Sequence, residues 1–267
     1  MGEKRQRFLI AVLRFHGDVL LTTPVIGEIK RIYPDSIIDL LVYSGTGSIL
    51  KFDDRINSVL EAEASADSNF IKIAFKEILL LRKLSNTKYD FGIFLTTQWR
   101  MALMARCLKG ARTTGVDDLK RRKPFWIKSF SSISPKAGDG HIVKRNLAAL
   151  EALGLTSIQE KRELSLIIPQ EIKNTIEETK KNHSLGNNYC VFHTVSRRET
   201  KLWKKESFAQ LIDHYTDQGL KVVLTSGPDE KEINYLKDIE KLTKTNFINL
   251  GGETRLIELA ALIKDAK

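Results

Sequence analysis

The chain has 267 residues, with 43 Lys plus Arg against 33 Asp plus Glu and a formal net charge of +10. Its hydrophobic fraction of 42% and charged fraction of 28% exclude the disordered and collagen-like classes. No apolar run approaches the ~18 residues of a membrane span, and at roughly 100–200 residues per domain the length predicts two domains or one large one.

The amino terminus is basic, but Phe8 to Leu13 is too short for a signal-peptide core and Arg14 and His16 interrupt it. Phe8 to Leu13 reads instead as a strand that ends at a glycine-containing turn. Leu20 to Tyr33 carries apolar residues at helical spacing (Leu21, Val25, Ile29, Ile32) and stops before Pro34. Ile37 to Tyr43 is the next strand, so the opening forms a right-handed βαβ unit. Ile71 to Leu84 reads as a helix, Phe91 to Leu95 as a strand, and His141 to Leu153 as a helix closed by Gly154.

A polar stretch from Thr156 to Glu163 precedes a second series. Ile172 to Lys181 is helical, Tyr189 to His193 a strand, and Phe208 to Tyr215 the middle of a helix ending at Gly219. Leu220 to Thr225 and Phe247 to Leu250 are strands, and a helix begins at Leu256. Each half repeats the alternation of a parallel sheet covered on both faces, which predicts two α/β domains, 1–160 and 161–267. Ligands of such sheets sit beyond the carboxyl ends of the strands.

Several chemistries lack their motifs. There is no Gly-x4-Gly-Lys-Ser/Thr phosphate loop, and Gly45-Thr46-Gly47 has Leu50 where a dinucleotide fingerprint needs its third glycine. The five histidines have no partners at metal-ligand spacing, and neither a Gly-x-Ser-x-Gly elbow nor a nucleic-acid signature is present. Two cysteines, Cys107 and Cys190, cannot form a disulfide framework in a chain this long, so a reduced, cytoplasmic protein is expected. The positive balance favours anionic partners or serves solubility alone.

Four loops remain informative. In Arg14-Phe15-His16-Gly17-Asp18, Asp18 either caps the following helix or points into a cleft as a base. Thr22 or Thr23 before Pro24 is the better cap, which leaves Asp18 free for the second role. His193-Thr194-Val195-Ser196-Arg197, running on to Lys201 and Trp203, joins hydroxyls and cations before a helix. It suits a phosphate, with Ser196 donating and Arg197 or Lys201 neutralising charge, or is a solvated loop capped by Ser196. In Thr225-Ser226-Gly227-Pro228-Asp229-Glu230 a helix starts near Pro228, and Glu230 is a candidate acceptor for sugar hydroxyls. Lys120-Arg121-Arg122-Lys123 before Phe125-Trp126 suits an anionic membrane surface or an acidic acceptor, or is a solvated basic loop with one aromatic plug into the core.

Together these segments resemble glycosyltransferase family 9, the lipopolysaccharide heptosyltransferases, over nearly the whole chain. The resemblance rests on Arg14-Phe15-His16-Gly17-Asp18 with Leu20-Leu21-Thr22-Thr23-Pro24, on Tyr33-Pro34-Asp35, Thr97-Gln98-Trp99 and Phe125-Trp126-Ile127-Lys128-Ser129-Phe130, and on two second-half stretches. These are Ser196-Arg197 to Lys201-x-Trp203 and Val223-Leu224-Thr225-Ser226-Gly227-Pro228-Asp229. Arg14-Phe15-His16 and the Phe125-Trp126 segment are most like the subfamily that adds the third, branching heptose.

The resemblance implies a GT-B fold, two facing Rossmann-like domains with the acceptor on the first and the nucleotide sugar on the second. It implies an ADP-heptose donor, a lipopolysaccharide inner-core acceptor at the cytoplasmic face of the inner membrane, and no metal, cofactor or nucleic acid. By the same resemblance Asp18, next to Gly17, is the general base, Lys201 contacts the donor phosphates, Ser196 and Arg197 lie in that loop, and Glu230 meets the ribose. Family members continue past the last helix with an Asp-Ser/Thr-Gly/Ala-Pro-x-His loop, so the second domain is expected to be incomplete at its carboxyl end. Two other readings stay open: a non-catalytic binder of anionic lipid or nucleic acid, and a GT-B transferase using another nucleotide sugar.

Overall fold

The computed structural model describes residues 5–64, 70–117, 123–134, 140–155, 163–196 and 198–267. The chain divides into two compact units, Met1–Ile167 and Ile168–Lys267. Residues before Ile168 stay with the first unit because Ser165 N donates to Thr23 Oγ1 and Leu166 packs on that unit's core.

The first unit is built on six parallel strands: β1 (Arg7–Val12), β2 (Ile37–Tyr43), β3 (Ser58–Ala62), β4 (Phe91–Phe94), β5 (Arg112–Val116) and β6 (Ser132–Ser134). Their order is β3-β2-β1-β4-β5-β6, so the direction of winding reverses between β1 and β4. Strand residues alternate faces, and β1 divides accordingly. Phe8, Ile10 and Val12 pack beneath α1 (His16–Leu20), α2 (Thr23–Ile32) and α6 (Ile142–Ala152). Leu9, Ala11 and Leu13 pack beneath α3 (Phe70–Asn86), α4 (Trp99–Cys107) and α5 (Pro124–Ile127).

The helix expected over Leu20 to Tyr33 is α2, which begins only at Thr23; the end of the Arg14–Asp18 stretch, read as a loop, forms the short helix α1, and the two helices are broken at Leu21–Thr22. Proline has no amide hydrogen, so Pro24 cannot reach the carbonyl of Leu20. Thr23 Oγ1 donates to that carbonyl instead at 2.9 Å, and Thr22 Oγ1 donates to Val19 O at 2.7 Å. Both hydroxyls therefore face back along α1, and Thr22 gives α2 no side-chain cap. Strands β3, β5 and β6 and helix α4 carry no clear sequence periodicity. In β5 the polar run Arg112-Thr113-Thr114-Gly115 occupies an interior strand, where Gly115 is required because a Cβ there would lie 2.6 Å from the Phe130 ring.

At the amino ends of these strands lies a buried acid. Asp39 accepts from Arg7 Nη2 at 2.7 Å, Ser58 Oγ at 2.7 Å, Asn57 Nδ2 at 2.8 Å and Tyr89 Oη at 3.0 Å. Burial pushes the carboxyl up, but the four donors outweigh it and hold Asp39 below the usual carboxylate range. This network stands at the opposite end of the sheet from the ligand-binding edge.

The second unit has three parallel strands, β7 (Tyr189–His193), β8 (Lys221–Ser226) and β9 (Ile248–Gly251), in that order. Helices α8 (Lys205–Asp217) and α9 (Glu230–Glu240) close one core with Cys190, Val222 and Leu224. The remaining helices, α7 (Gln170–Asn182) and α10 (Leu256–Lys264), pack together, tied by Lys180 to Asp265, and Tyr189 Oη of β7 donates to Leu262 O of α10 at 2.6 Å. Successive strand carbonyls point to opposite edges: Asn188 O accepts from Lys221, and Tyr189 O accepts from Lys267 N on the edge of β7 away from β8. Among the described residues no helix is long and apolar enough to cross a membrane.

Candidate active site

A cavity of about 430 Å³ opens at the carboxyl ends of β1, β4 and β5. Its floor is Val12, Leu95 and Val116, and its walls carry Arg14, Asp18, Thr96, Thr97, Asp117, Arg145 and Asn146. It therefore sits where the strand order reverses, the crevice in which open α/β sheets bind ligands.

Asp18 is half-buried in the first turn of α1, whose cap position is Phe15, so it does not cap the helix. Among the described residues its carboxylate has no hydrogen-bond or ion-pair partner, and neither Arg14 nor Arg145 forms an ion pair. Among the described residues the Thr96 hydroxyl is buried without a partner in the same wall. Gly17 is exposed beside Asp18, with open space where a Cβ would stand.

Side-chain amides from two neighbouring elements hold the chain on either side of Asp18. Gln98, at the residue before α4, donates from Nε2 to Leu13 O at 2.9 Å and accepts from Tyr43 Oη at 2.9 Å. Asn146, buried on α6, donates from Nδ2 to Leu21 O at 3.0 Å. Residues 14–20 are thus anchored at both ends while the Asp18 carboxylate stays free, an arrangement suited to accepting a proton from a bound hydroxyl.

In the second unit Ser196, Lys201 and Glu230 all follow the carboxyl ends of strands. Ser196 Oγ accepts from Arg198 N at 3.4 Å, and Lys201 ends an exposed single turn over Glu199–Lys201. Arg197 lies outside the described residues. Thr194, the first residue after β7, is buried and its hydroxyl has no partner among the described residues, while His193 Nδ1 and Thr225 Oγ1 stand 3.1 Å apart. Pro228 is two residues ahead of α9 rather than at its start. Asp229 caps the helix by accepting from Lys231 N at 2.9 Å, and Glu232 accepts from Gly227 N at 2.8 Å. Glu230 is thereby left as the exposed first residue of α9.

The family model described as glycosyltransferase family 9 (heptosyltransferase) matches residues 78–267. Lipopolysaccharide heptosyltransferase 3 of Escherichia coli K12 is 35% identical over 256 residues, covering 95% of this chain and 73% of that protein. The chain belongs to glycosyltransferase family 9. A more distant relative, the lipopolysaccharide core heptosyltransferase OpsX of Haemophilus influenzae, is 22% identical over 92% of this chain and 67% of its own length. Two solved structures share the GT-B fold. A family 9 glycosyltransferase from Veillonella parvula has a TM-score of 0.81 at 21% identity, over all of this chain and 74% of that one. E. coli heptosyltransferase WaaC with ADP-2-deoxy-2-fluoro heptose has a TM-score of 0.76 at 20% identity, over 98% of this chain and 81% of that one.

Three cavity residues of this family 9 chain escaped sequence reasoning. Asp117 reaches the cavity from the end of the unrecognised strand β5, and Arg145 and the buried Asn146 from α6, and nothing in their local pattern marks them as site residues. Of the Phe125-Trp126 segment, Trp126 is the aromatic plug into the core that the sequence offered as one reading, whereas Phe125 and Ile127 stay exposed. The cations 120–122 lie outside the described residues. Among the described residues no three His, Cys, Asp or Glu side chains converge as a metal site needs.

Proposed function

We propose that this chain is an inverting glycosyltransferase that moves L-glycero-D-manno-heptose from ADP-heptose to the inner core of lipopolysaccharide. The observation that carries the proposal is the unpartnered Asp18 carboxylate in the switch-point cavity of a family 9 chain. The names of the relatives, lipopolysaccharide heptosyltransferases, and the ADP-heptose analogue held by the WaaC structure support the substrate class. The first unit takes the acceptor and the second the nucleotide sugar. An acceptor of this kind is lipid-borne, which places the enzyme at the cytoplasmic face of the inner membrane, in contact with an anionic surface and not with nucleic acid.

In the reaction Asp18 takes the proton of the acceptor hydroxyl as that oxygen bonds to the anomeric carbon. The bond from that carbon to the β-phosphate oxygen breaks on the opposite face, and ADP leaves with the bonding pair. General-base help of this kind is worth ~10²–10⁴-fold. Lys201, with Ser196 and Arg197 in the same loop, stabilises the charge that develops on the diphosphate, and Glu230 accepts from the ribose hydroxyls.

Transfer of radiolabelled heptose from ADP-heptose to a heptosylated lipid A–Kdo core tests the proposal. Label incorporated into the core supports it. Incorporation suppressed better by a UDP- or GDP-sugar than by ADP-heptose would assign another donor, and salt-dependent nucleic-acid binding without transfer would assign a non-catalytic binder. Lys201→Ala is expected to weaken ADP-heptose binding by about tenfold, in the range of one lost charge-assisted contact, and to leave acceptor binding unchanged. Titration of each ligand separately checks this, and equal losses for both would remove Lys201 from the donor site.

A further inference from the structure

We infer that the outer face of α3 docks on the surface of an anionic bilayer. The inference rests on the proposed function only in its lipid-borne acceptor. The inner face of α3 buries Leu80 and Leu84 in the core of the first unit. A surface helix normally turns polar residues outward, yet here Ile71, Phe75, Ile78 and Leu79 are 81%, 62%, 55% and 47% exposed. Their spacings of four, three and four residues (71 to 75, 75 to 78, 75 to 79) set them in one stripe along the helix.

At 100° per residue Lys72, Lys76 and Lys83 fall along one edge of that stripe and Arg82 at its far end. The helix carries these four cations against one carboxylate, Glu77, which bonds Arg100 of α4, while Lys76 pairs with Glu63. An apolar stripe bordered by lysines is the pattern of a helix lying in a bilayer interface, its apolar side chains among the acyl chains and its lysine stems reaching up to anionic headgroups. Farther along the same layer, Phe125 and Ile127 of α5 add exposed apolar side chains, held to α4 by Arg106 over the Phe125 ring at 4.5 Å.

Charge favours a lipid surface over a second copy of the chain. A self-complementary contact would set identical lysine edges together in a protein of net charge +10. Topology adds a functional reason. Helix α3 follows β3, so it begins at the carboxyl edge of the sheet, the edge at which the Asp18 cavity opens. Docking along its first turns holds that edge at headgroup level, where a lipid-borne acceptor presents its sugars.

Co-sedimentation of the full chain with phosphatidylglycerol–phosphatidylcholine vesicles, against vesicles of phosphatidylcholine alone, tests the inference. The expected result is binding to the anionic vesicles that falls as salt rises. Phe75→Glu with Ile78→Glu, and separately Lys72→Glu with Lys83→Glu, should each weaken it about tenfold or more. Phe75→Ser serves as a milder variant, and a thermal melt identifies any variant that fails to fold. Heptose transfer to detergent-dispersed acceptor should be unchanged in all of them, which separates this inference from the proposed function. Absence of transfer by the parent chain would defeat that function and leave the vesicle result standing. Binding of the folded variants equal to the parent's overturns the docking surface, as does a parent dimer that Phe75→Glu with Ile78→Glu dissociates without altering vesicle binding.

Discussion

Asp18→Asn is expected to lower kcat by ~10²–10⁴-fold, the usual worth of a positioned general base, while ADP-heptose binds as before. The substitution keeps size and polarity but removes the ability to accept a proton. Asp18 is half-buried, bonded to nothing among the described residues and carried by a segment that Gln98 and Asn146 anchor independently, so its loss should not disturb the local fold. An interaction used only in the transition state lowers kcat and kcat/KM together. Steady-state transfer with saturating donor and varied acceptor, beside a separate titration of ADP-heptose, reads kcat, KM and donor binding. Turnover at the parental rate would remove Asp18 from the base role. Loss confined to KM would make it a binding residue for the acceptor.

Asp39→Ala should have the largest effect on stability, about 3 kcal/mol. That is the low end of the range for breaking a buried ion pair, because Arg7 is partly exposed and can turn to water. Tyr89, Asn57 and Ser58 would be left without their acceptor. For a unit of this size the midpoint should fall by about 6–12 °C, measured by thermal or urea unfolding. The sign with pH follows from the depressed carboxyl of Asp39. Its stabilisation is complete above the unfolded value of about 3.9 and is lost as pH falls through the lower folded value. The parent should therefore lose stability on acidification below about pH 4, and Asp39→Asn should start lower at neutral pH and lose less. Because this network lies at the amino ends of the strands, away from the Asp18 cavity, folded Asp39→Asn should transfer heptose at the parental rate. An acid limb identical in parent and Asp39→Asn would show that other carboxylates govern acid unfolding.

Local chemistry made much of this protein readable from the residue order alone. The apolar strands β1, β2 and β7, the helices with a clear 3.6-residue stripe and the Asp18 loop declare themselves because each pattern concerns neighbours in the chain. The Gly-Asp-x-Leu-Leu-Thr-Thr-Pro run and the second-half series were also enough to point to the family. The break between α1 and α2 was not readable. It depends on two threonine hydroxyls folding back to carbonyls that a helix would otherwise engage, and Ser165, 142 residues from Thr23, meets one of them. Strand β5 hid because its threonines are polar by type and buried only by its place between β4 and β6.

The cavity itself belongs to tertiary structure. Arg14 and Asp18 meet Thr96, Asp117 and Arg145 because the strand order reverses beside β1, and no periodicity in the chain reports which strand becomes the neighbour of which. The outward apolar stripe of α3 is a further case. Ile71, Phe75, Ile78 and Leu79 look like core residues when read in order, and only the packing of Leu80 and Leu84 on the other side shows that they face away from it. Residue order sets which side of an element is apolar; the arrangement of elements around it decides whether that side meets the interior or the surroundings.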